Sequence, residues 1–157
     1  MRKILKLIAT FFGVGHLPFG PGTWGTLAAV PLALLINWAG PLYAMGITLF
    51  LFPLAVWAAE VYEQDKGGHD HKEIVIDEVL GFFITMTWLP LTWQAYVAGF
   101  CLFRVLDIFK PFPIGYLDRK VQGGLGVVAD DVAAGIIANV ILQIVYTKTG
   151  WLGAQIL

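Results

Sequence analysis

Residues 7–59 read LIATFFGVGHLPFGPGTWGTLAAVPLALLINWAGPLYAMGITLFLFPLAVWAA, a run without a single Lys, Arg, Asp or Glu. A domain of 157 residues has too little interior to hide an apolar run of this length. The whole chain is 58% hydrophobic and 13% charged, against about 25% charged for an average soluble domain. We therefore expect a single integral membrane domain over residues 1–157.

The other apolar segments predict an all-α, polytopic helical bundle with about four to five membrane helices. Residues 27–38, 42–59 and 132–146 each form one apolar helix. Residues 79–103 allow one long tilted helix, but a turn at Pro90 that makes two short helices fits better. The glycine- and proline-rich residues 13–26 and 112–126 read as loops, and Thr23 or Thr26 could cap the helix that follows the first loop.

The amino-terminal segment predicts a surface helix. Residues 4–12 place apolar side chains opposite Lys3 and Lys6, which is typical of a short amphipathic helix lying on a membrane. Because no cleavage signal follows Arg2, Lys3 and Lys6, we expect a retained basic anchor and not a signal peptide.

Charge predicts the orientation of the bundle. With a turn at Pro90, one side holds the amino terminus and residues 60–78 and 104–131, and it carries nine of the ten basic residues; only Lys148 lies opposite. The positive-inside rule places that side in the cytoplasm. The net charge of −1 gives no indication of nucleic-acid binding. Cys101 is the single cysteine, so an internal disulfide is excluded.

Two acidic pairs stand next to apolar runs, Asp77-Glu78 and Asp130-Asp131. Carboxylates from separate helices would repel one another unless a cation lay between them, and clustered oxygen ligands suit Mg²⁺. The alternative is a set of solvated helix starts, where acids are favoured by the helix dipole.

Other polar residues could handle a phosphate. Arg104, Asp107 and Lys110 are spaced to share one face at the end of a helix, either as an ion-pair ladder or with Asp107 on a metal and the cations on phosphate oxygens. Thr23 and Thr26 lie in a glycine-rich stretch that could receive an anion or could be a plain turn.

In their order along the chain these motifs resemble the phosphatidylglycerophosphatase A family, Mg²⁺-dependent membrane lipid phosphatases of bacteria. The resemblance covers about residues 13–146. The matching pieces are Pro21-Gly22-Thr23, His69-Asp70-His71, Ile74-Val75, Asp77-Glu78, Gly81, Phe103-Arg104, Leu106-Asp107, Lys110-Pro111, Pro113-Ile114, Asp118-Arg119, Gly123-Gly124, Gly126, Asp130-Asp131 and Ala134-Gly135.

The resemblance implies an all-helical enzyme that hydrolyses phosphatidylglycerophosphate to phosphatidylglycerol and phosphate. It also implies a phospholipid substrate in the bacterial inner membrane, reached from the cytoplasmic leaflet. A divalent-cation transporter and a non-catalytic protein that binds anionic lipid remain as alternatives. A transporter should carry acids at mid-span.

The working hypothesis is metal-assisted hydrolysis. Mg²⁺ would be held by Asp77 and Glu78, by Asp107, and by one or both of Asp130 and Asp131. Cations would balance the phosphate charge, and Asp70 or His69 would transfer a proton. Either water or a carboxylate could be the nucleophile. The residues in these roles are Asp77, Glu78, Asp107, Asp130 and Asp131 for the metal, Asp77, Asp107, Asp131, Asp70 and His69 for catalysis, and Thr23, Thr26, Arg104, Lys110 and Arg119 for the substrate.

Overall fold

A computed structural model describes residues 1–68 and 71–153, and over these residues it is helical, with no strand. The prediction of an all-α fold is confirmed. A 3₁₀ turn at Val14–His16 separates the first two helices. The helices are α1 (Arg2–Ala9), α2 (Pro21–Trp38), α3 (Pro41–Lys66), α4 (Ile76–Met86), α5 (Trp93–Phe109), α6 (Ile114–Lys120) and α7 (Gly123–Lys148).

Helices α4 and α7 form the centre of the bundle and run in the same direction. A Cβ on Gly135 would overlap the carbonyl oxygen of Gly81, so the two backbones touch where these glycines face each other. Further along, the Asn139 side chain donates to the carbonyl oxygens of Thr85 (2.9 Å) and Thr87 (2.8 Å). Because both helices point the same way, the acids in the first part of each lie at the same end of the bundle.

Helix α5 returns to that end after a turn at residues 87–92. Thr92 caps α5, since its hydroxyl oxygen accepts from the Ala95 amide at 3.2 Å. Phe103 then packs against Gly81, where a Cβ would lie 2.6 Å from the ring. The prediction of two short helices with a turn at Pro90 is confirmed, and the last part of α5 reaches the acidic end.

The prediction of loops at residues 13–26 and 112–126 is wrong in part. Residues 21–26 are the first turns of α2, with Pro21 at its first position, where proline costs least. Residues 114–120 form α6, and α7 already begins at Gly123. These glycines serve close packing and not loop formation: a Cβ on Gly25 would lie 2.8 Å from Val75 Cβ, and one on Gly124 would overlap the Val56 carbonyl oxygen.

Three further local expectations are corrected by the helix boundaries. Neither threonine caps α2, because Gly20 is the capping residue and the Thr26 hydroxyl donates to the Gly22 carbonyl oxygen at 2.9 Å, within the helix. Asp130 and Asp131 lie inside α7 and do not precede it. The amphipathic helix at the amino terminus is present but ends at Ala9 instead of residue 12, since Phe11 and Phe12 adopt positive φ angles.

Two of the described helices, α3 and α7, are long and apolar enough to cross a membrane. Only 28% of the most apolar window of α3 is buried, so most of its apolar surface faces outward. Leu49 and Phe50 are 66% and 73% exposed on α3, and Ile144 is 57% exposed on α7. The larger number of four to five spans stays a prediction.

Candidate active site

A cavity of about 400 Å³ opens at the end of the bundle where α2 and α4 begin and α5 ends. Most of the residues predicted for catalysis, metal binding or substrate binding line this cavity, although they come from segments that are far apart in sequence. Its charged lining comprises Lys72, Asp77, Glu78, Arg104, Asp107, Lys110, Asp118, Asp130 and Asp131.

The carboxylates of Asp77, Glu78 and Asp131 form the centre of the cavity, and we call them the carboxylate triad. One oxygen from each lies within 4.8 Å of the other two. Asp77 is 7% exposed and Asp131 is 3% exposed. Two come from the first turn of α4 and the third from α7, so the close approach of the two helices at Gly81 brings them together.

The triad has the properties of a cation site. Burial, followed by the proximity of Glu78, raises the pKa of Asp77 well above its usual range. Burial likewise raises the pKa of Glu78 to about 7. Asp77 Oδ1 and Glu78 Oε2 are buried without a hydrogen-bond partner among the described residues. A divalent cation would satisfy these oxygens and remove the repulsion between the carboxylates.

Arg104 joins the triad to Asp107. Its Nη1 pairs with the Asp107 carboxylate and lies 3.9 Å from Glu78 Oε1. Its Nη2 lies 3.4 Å from Thr23 Oγ1, so the guanidinium also contacts the start of α2. Gly22 has no room for a side chain there, because a Cβ would overlap Glu78 Oε1. The glycine-rich start of α2 therefore closes one wall of the site.

Lys110 joins three elements. It ends α5 in the left-handed region, with φ at +44°, and its Nζ lies 2.5 Å from Asp118 Oδ1 in α6 and 2.6 Å from Asp130 Oδ2 in α7. Burial acts to lower its pKa, but the two carboxylates outweigh burial and raise the pKa above the ordinary value. Lys110 is therefore a permanent cation in the cavity. One carboxylate oxygen of Asp130 pairs with Lys110, and Asp130 is not a member of the carboxylate triad.

Most of the predicted site residues come together, and three do not line the cavity. Thr23 reaches it only through Arg104, Thr26 is buried within α2, and Arg119 is exposed on α6. His69 and Asp70 lie outside the described residues. The roles assigned to all of these residues stay predictions.

The residues predicted for the site did not include His71, Lys72 or Asp118, which also line the cavity. His71 and Lys72 directly follow the predicted site residues His69 and Asp70, and Asp118 lies 8 residues after Lys110. Their position next to predicted residues was the available signal. It is weak, since exposed charges commonly flank helices.

Comparison with known proteins shows the family of this chain. The family model for phosphatidylglycerophosphatase A matches residues 7–146. A protein of that name from Escherichia coli is 42% identical over 147 residues, which cover 92% of this chain and 85% of the relative. A protein of the same name from Haemophilus influenzae is 40% identical over 145 residues, which cover 88% of this chain and 86% of the relative. No solved structure matches. The chain belongs to the phosphatidylglycerophosphatase A family.

Proposed function

We propose that this protein hydrolyses the terminal phosphomonoester of phosphatidylglycerophosphate, releasing phosphatidylglycerol and inorganic phosphate. The observation that carries the proposal is the buried carboxylate triad beside two cations in one cavity, in a chain whose relatives bear the name of this phosphatase. A phosphate needs cations on its oxygens, and the cavity offers Arg104 and Lys110 for that purpose.

Mg²⁺ is the cofactor that we propose for the triad. Asp77, Glu78 and Asp131 would hold it, with Asp107 close by across Arg104. When bound, the ion supplies Lewis-acid polarisation of a phosphoryl oxygen and orients the attacking group. The two unpartnered oxygens of Asp77 and Glu78 support this assignment, because carboxylate oxygens are the ligands that Mg²⁺ prefers.

The chain's own cations would bind and orient the phosphate. Arg104 presents a planar guanidinium held by Asp107 and Thr23, so it can bind two phosphate oxygens without first being ordered. Lys110, fixed between Asp118 and Asp130, supplies a second positive charge at a set place. Both side chains are anchored before substrate arrives, which lowers the entropy cost of binding.

A position in the bacterial inner membrane, with the cavity facing the cytoplasm, completes the proposal. Helices α3 and α7 have the length and hydropathy for full spans, and their exposed faces are apolar. The Glu60 carboxylate accepts from the Gly124 amide at 2.6 Å, so the end of α3 and the start of α7 lie on the same side as the cavity. That side carries the basic residues, as the positive-inside rule expects of a cytoplasmic face.

Phosphate release from phosphatidylglycerophosphate in detergent, with and without EDTA, tests the proposal. We expect turnover in Mg²⁺, a loss of at least about 100-fold when the ion is removed, and recovery when Mg²⁺ is restored, since metal assistance is worth several kcal/mol. Turnover that EDTA leaves unchanged would contradict the metal assignment.

The same preparation separates the alternative functions. Reconstituted liposomes should show no Mg²⁺ flux, whereas flux without phosphate release would indicate a transporter. Binding of anionic lipid with no release of phosphate would indicate a non-catalytic protein. A carboxylate nucleophile would pass through an acyl phosphate, which borohydride reduction of the protein during turnover would trap, whereas direct attack of water on phosphorus would leave no phosphoenzyme to trap.

A further inference from the structure

A second cleft, of about 310 Å³, lies between α1 and the last turns of α3. Helix α1 packs against α3 there, and Lys6 pairs with Asp65 at 2.8 Å across the contact. We call this the basic cleft, because its lining includes Lys3, Lys6, His16 and Lys66. None of these four residues lines the active-site cavity, so the basic cleft is a separate feature of the molecule.

Positive charge exceeds negative charge in the basic cleft. Among the described residues, the carboxylates that pair with its lysines are Asp65 and Glu73, and Glu73 lies 2.8 Å from Lys66. Lys3 has no acidic partner in the described part of the chain. An ammonium group donates up to three hydrogen bonds, so Lys6 and Lys66 also keep donors for a ligand. The cleft can therefore bind an anion.

The mouth of the basic cleft is apolar. Leu7 lines the cleft and is exposed, and the neighbouring Ile4 and Phe12 are exposed as well. Exposed apolar side chains beside lysines are typical of a helix that lies in a membrane interface, with its apolar side chains among the acyl chains. Lys66 ends α3 on the side that we propose to be cytoplasmic, so the cleft would lie at the level of the phospholipid headgroups.

We propose that the basic cleft binds the headgroup of an anionic phospholipid of the cytoplasmic leaflet. The phosphodiester would lie between Lys3 and Lys66, and the acyl chains would pass Leu7 into the bilayer. Basic pockets beside membrane helices on the cytoplasmic side are typical binding sites for such headgroups. The site requires the proposed position in the membrane, but it does not depend on phosphatase activity.

One short segment, residues 71–75, separates the basic cleft from the active site. Glu73 pairs with Lys66 of the cleft, whereas Ile74 lines the active-site cavity. A Cβ on Gly15 would overlap the Glu73 carbonyl oxygen, so the turn that follows α1 packs directly on this segment. A lipid in the basic cleft would therefore be a neighbour of the active site and not its substrate.

Native mass spectrometry of the full chain in detergent tests the proposal. The probes are dioleoyl phosphatidylglycerol, which is anionic, and dioleoyl phosphatidylcholine, which is zwitterionic. We expect Lys3→Glu to weaken the binding of one phosphatidylglycerol molecule at least about tenfold, because each positive charge at the surface contributes to anionic-lipid binding. Binding of phosphatidylcholine should not change.

Lys120→Glu is the matched control, since it makes the same charge change at an exposed residue of α6 that does not line the cleft. It should bind phosphatidylglycerol as the unmodified protein does. Lys3→Gln should also weaken binding, whereas Lys3→Arg should retain it, because only the latter keeps the positive charge. The melting temperature without lipid shows whether each variant is folded.

A last arm distinguishes a lipid headgroup from a free anion. Excess inorganic phosphate should leave the lipid bound, because the acyl chains add to its affinity, and displacement by phosphate would overturn the lipid assignment. Equal binding of phosphatidylglycerol by Lys3→Glu and Lys120→Glu, or an equal loss for both lipids in Lys3→Glu, would overturn the site itself. A protein that bound lipid as expected but released no phosphate from phosphatidylglycerophosphate would contradict the proposed function alone.

Discussion

Replacing Asp77 or Asp131 with Asn is expected to lower kcat by about 1,000-fold or more, the equivalent of roughly 4 kcal/mol of transition-state stabilisation. Each substitution keeps the shape of the side chain and removes one of the three charges that face each other within 4.8 Å. Folding should survive, because the change relieves repulsion between buried carboxylates. The measurement is phosphate release together with the thermal melting temperature, which should stay equal or rise.

Asp65→Asn is the matched control for this prediction. Asp65 pairs with Arg2 at 3.1 Å and with Lys6 at 2.8 Å on the outside of the bundle, away from the cavity lining. Exposed ion pairs of this kind contribute little, so its variant should retain activity within about twofold. Full activity in both Asp77→Asn and Asp131→Asn would remove the metal assignment.

Arg104→Met is expected to lower kcat/KM by about 100- to 1,000-fold, the effect of removing one charged hydrogen-bond donor that stabilises the transferring phosphoryl group. Arg104 contacts Asp107, Glu78 and Thr23, so its loss removes a phosphate ligand and adds to the negative charge of the cavity. Arg104→Lys should recover only part of this activity, because an ammonium cannot replace the planar fork of the guanidinium.

Lys120→Met serves as the comparison, since Lys120 is exposed at the end of α6 and does not line the cavity. Steady-state kinetics should show a raised KM and a lowered kcat for Arg104→Met, smaller changes in the same direction for Arg104→Lys, and no change for Lys120→Met. Equal kinetics for Arg104→Met and Lys120→Met would exclude Arg104 from the site.

The acidic end of the bundle could be predicted from the sequence because charge is scarce in this chain. Asp77, Glu78, Asp107 and Asp131 are costly in an apolar environment, so the sequence predicts that they lie at one face of the bundle. The approach of Asp77, Glu78 and Asp131 to one another is visible only in the structure, because the same acids could have been solvated helix starts.

The turn at Pro90 could be predicted because proline is unfavourable inside a helix and the neighbouring Trp88 and Trp93 suit a membrane interface. Proline alone was not sufficient, since Pro31 and Pro53 lie inside α2 and α3.

The glycine-rich segments could not be predicted in the same way. Gly22, Gly25 and Gly124 give the same local signal whether they permit a loop or permit a neighbouring helix to come close. Only the position of Glu78, Val75 and Glu60 in three dimensions decides between the two uses. A single sequence does not contain that information, and the helices α2 and α7 were therefore predicted too short.

The ion-pair partners of Lys110 could not be predicted from the sequence, for a different reason. Spacing along α5 placed Lys110 on one helical face with Arg104 and Asp107, but Lys110 ends the helix in the left-handed region and turns towards α6 and α7. Its contacts with Asp118 and Asp130 lie 8 and 20 residues away. Helical periodicity carries no information beyond the residue that ends the helix.

Anomalous scattering from crystals soaked in Mn²⁺ tests the central claim most directly, since Mn²⁺ shares the oxygen-ligand preference of Mg²⁺. We expect one strong peak within about 2.0–2.4 Å of carboxylate oxygens from Asp77, Glu78 and Asp131, and its loss in Asp131→Asn. A peak elsewhere with the triad vacant, or no peak at saturating Mn²⁺, would contradict the account.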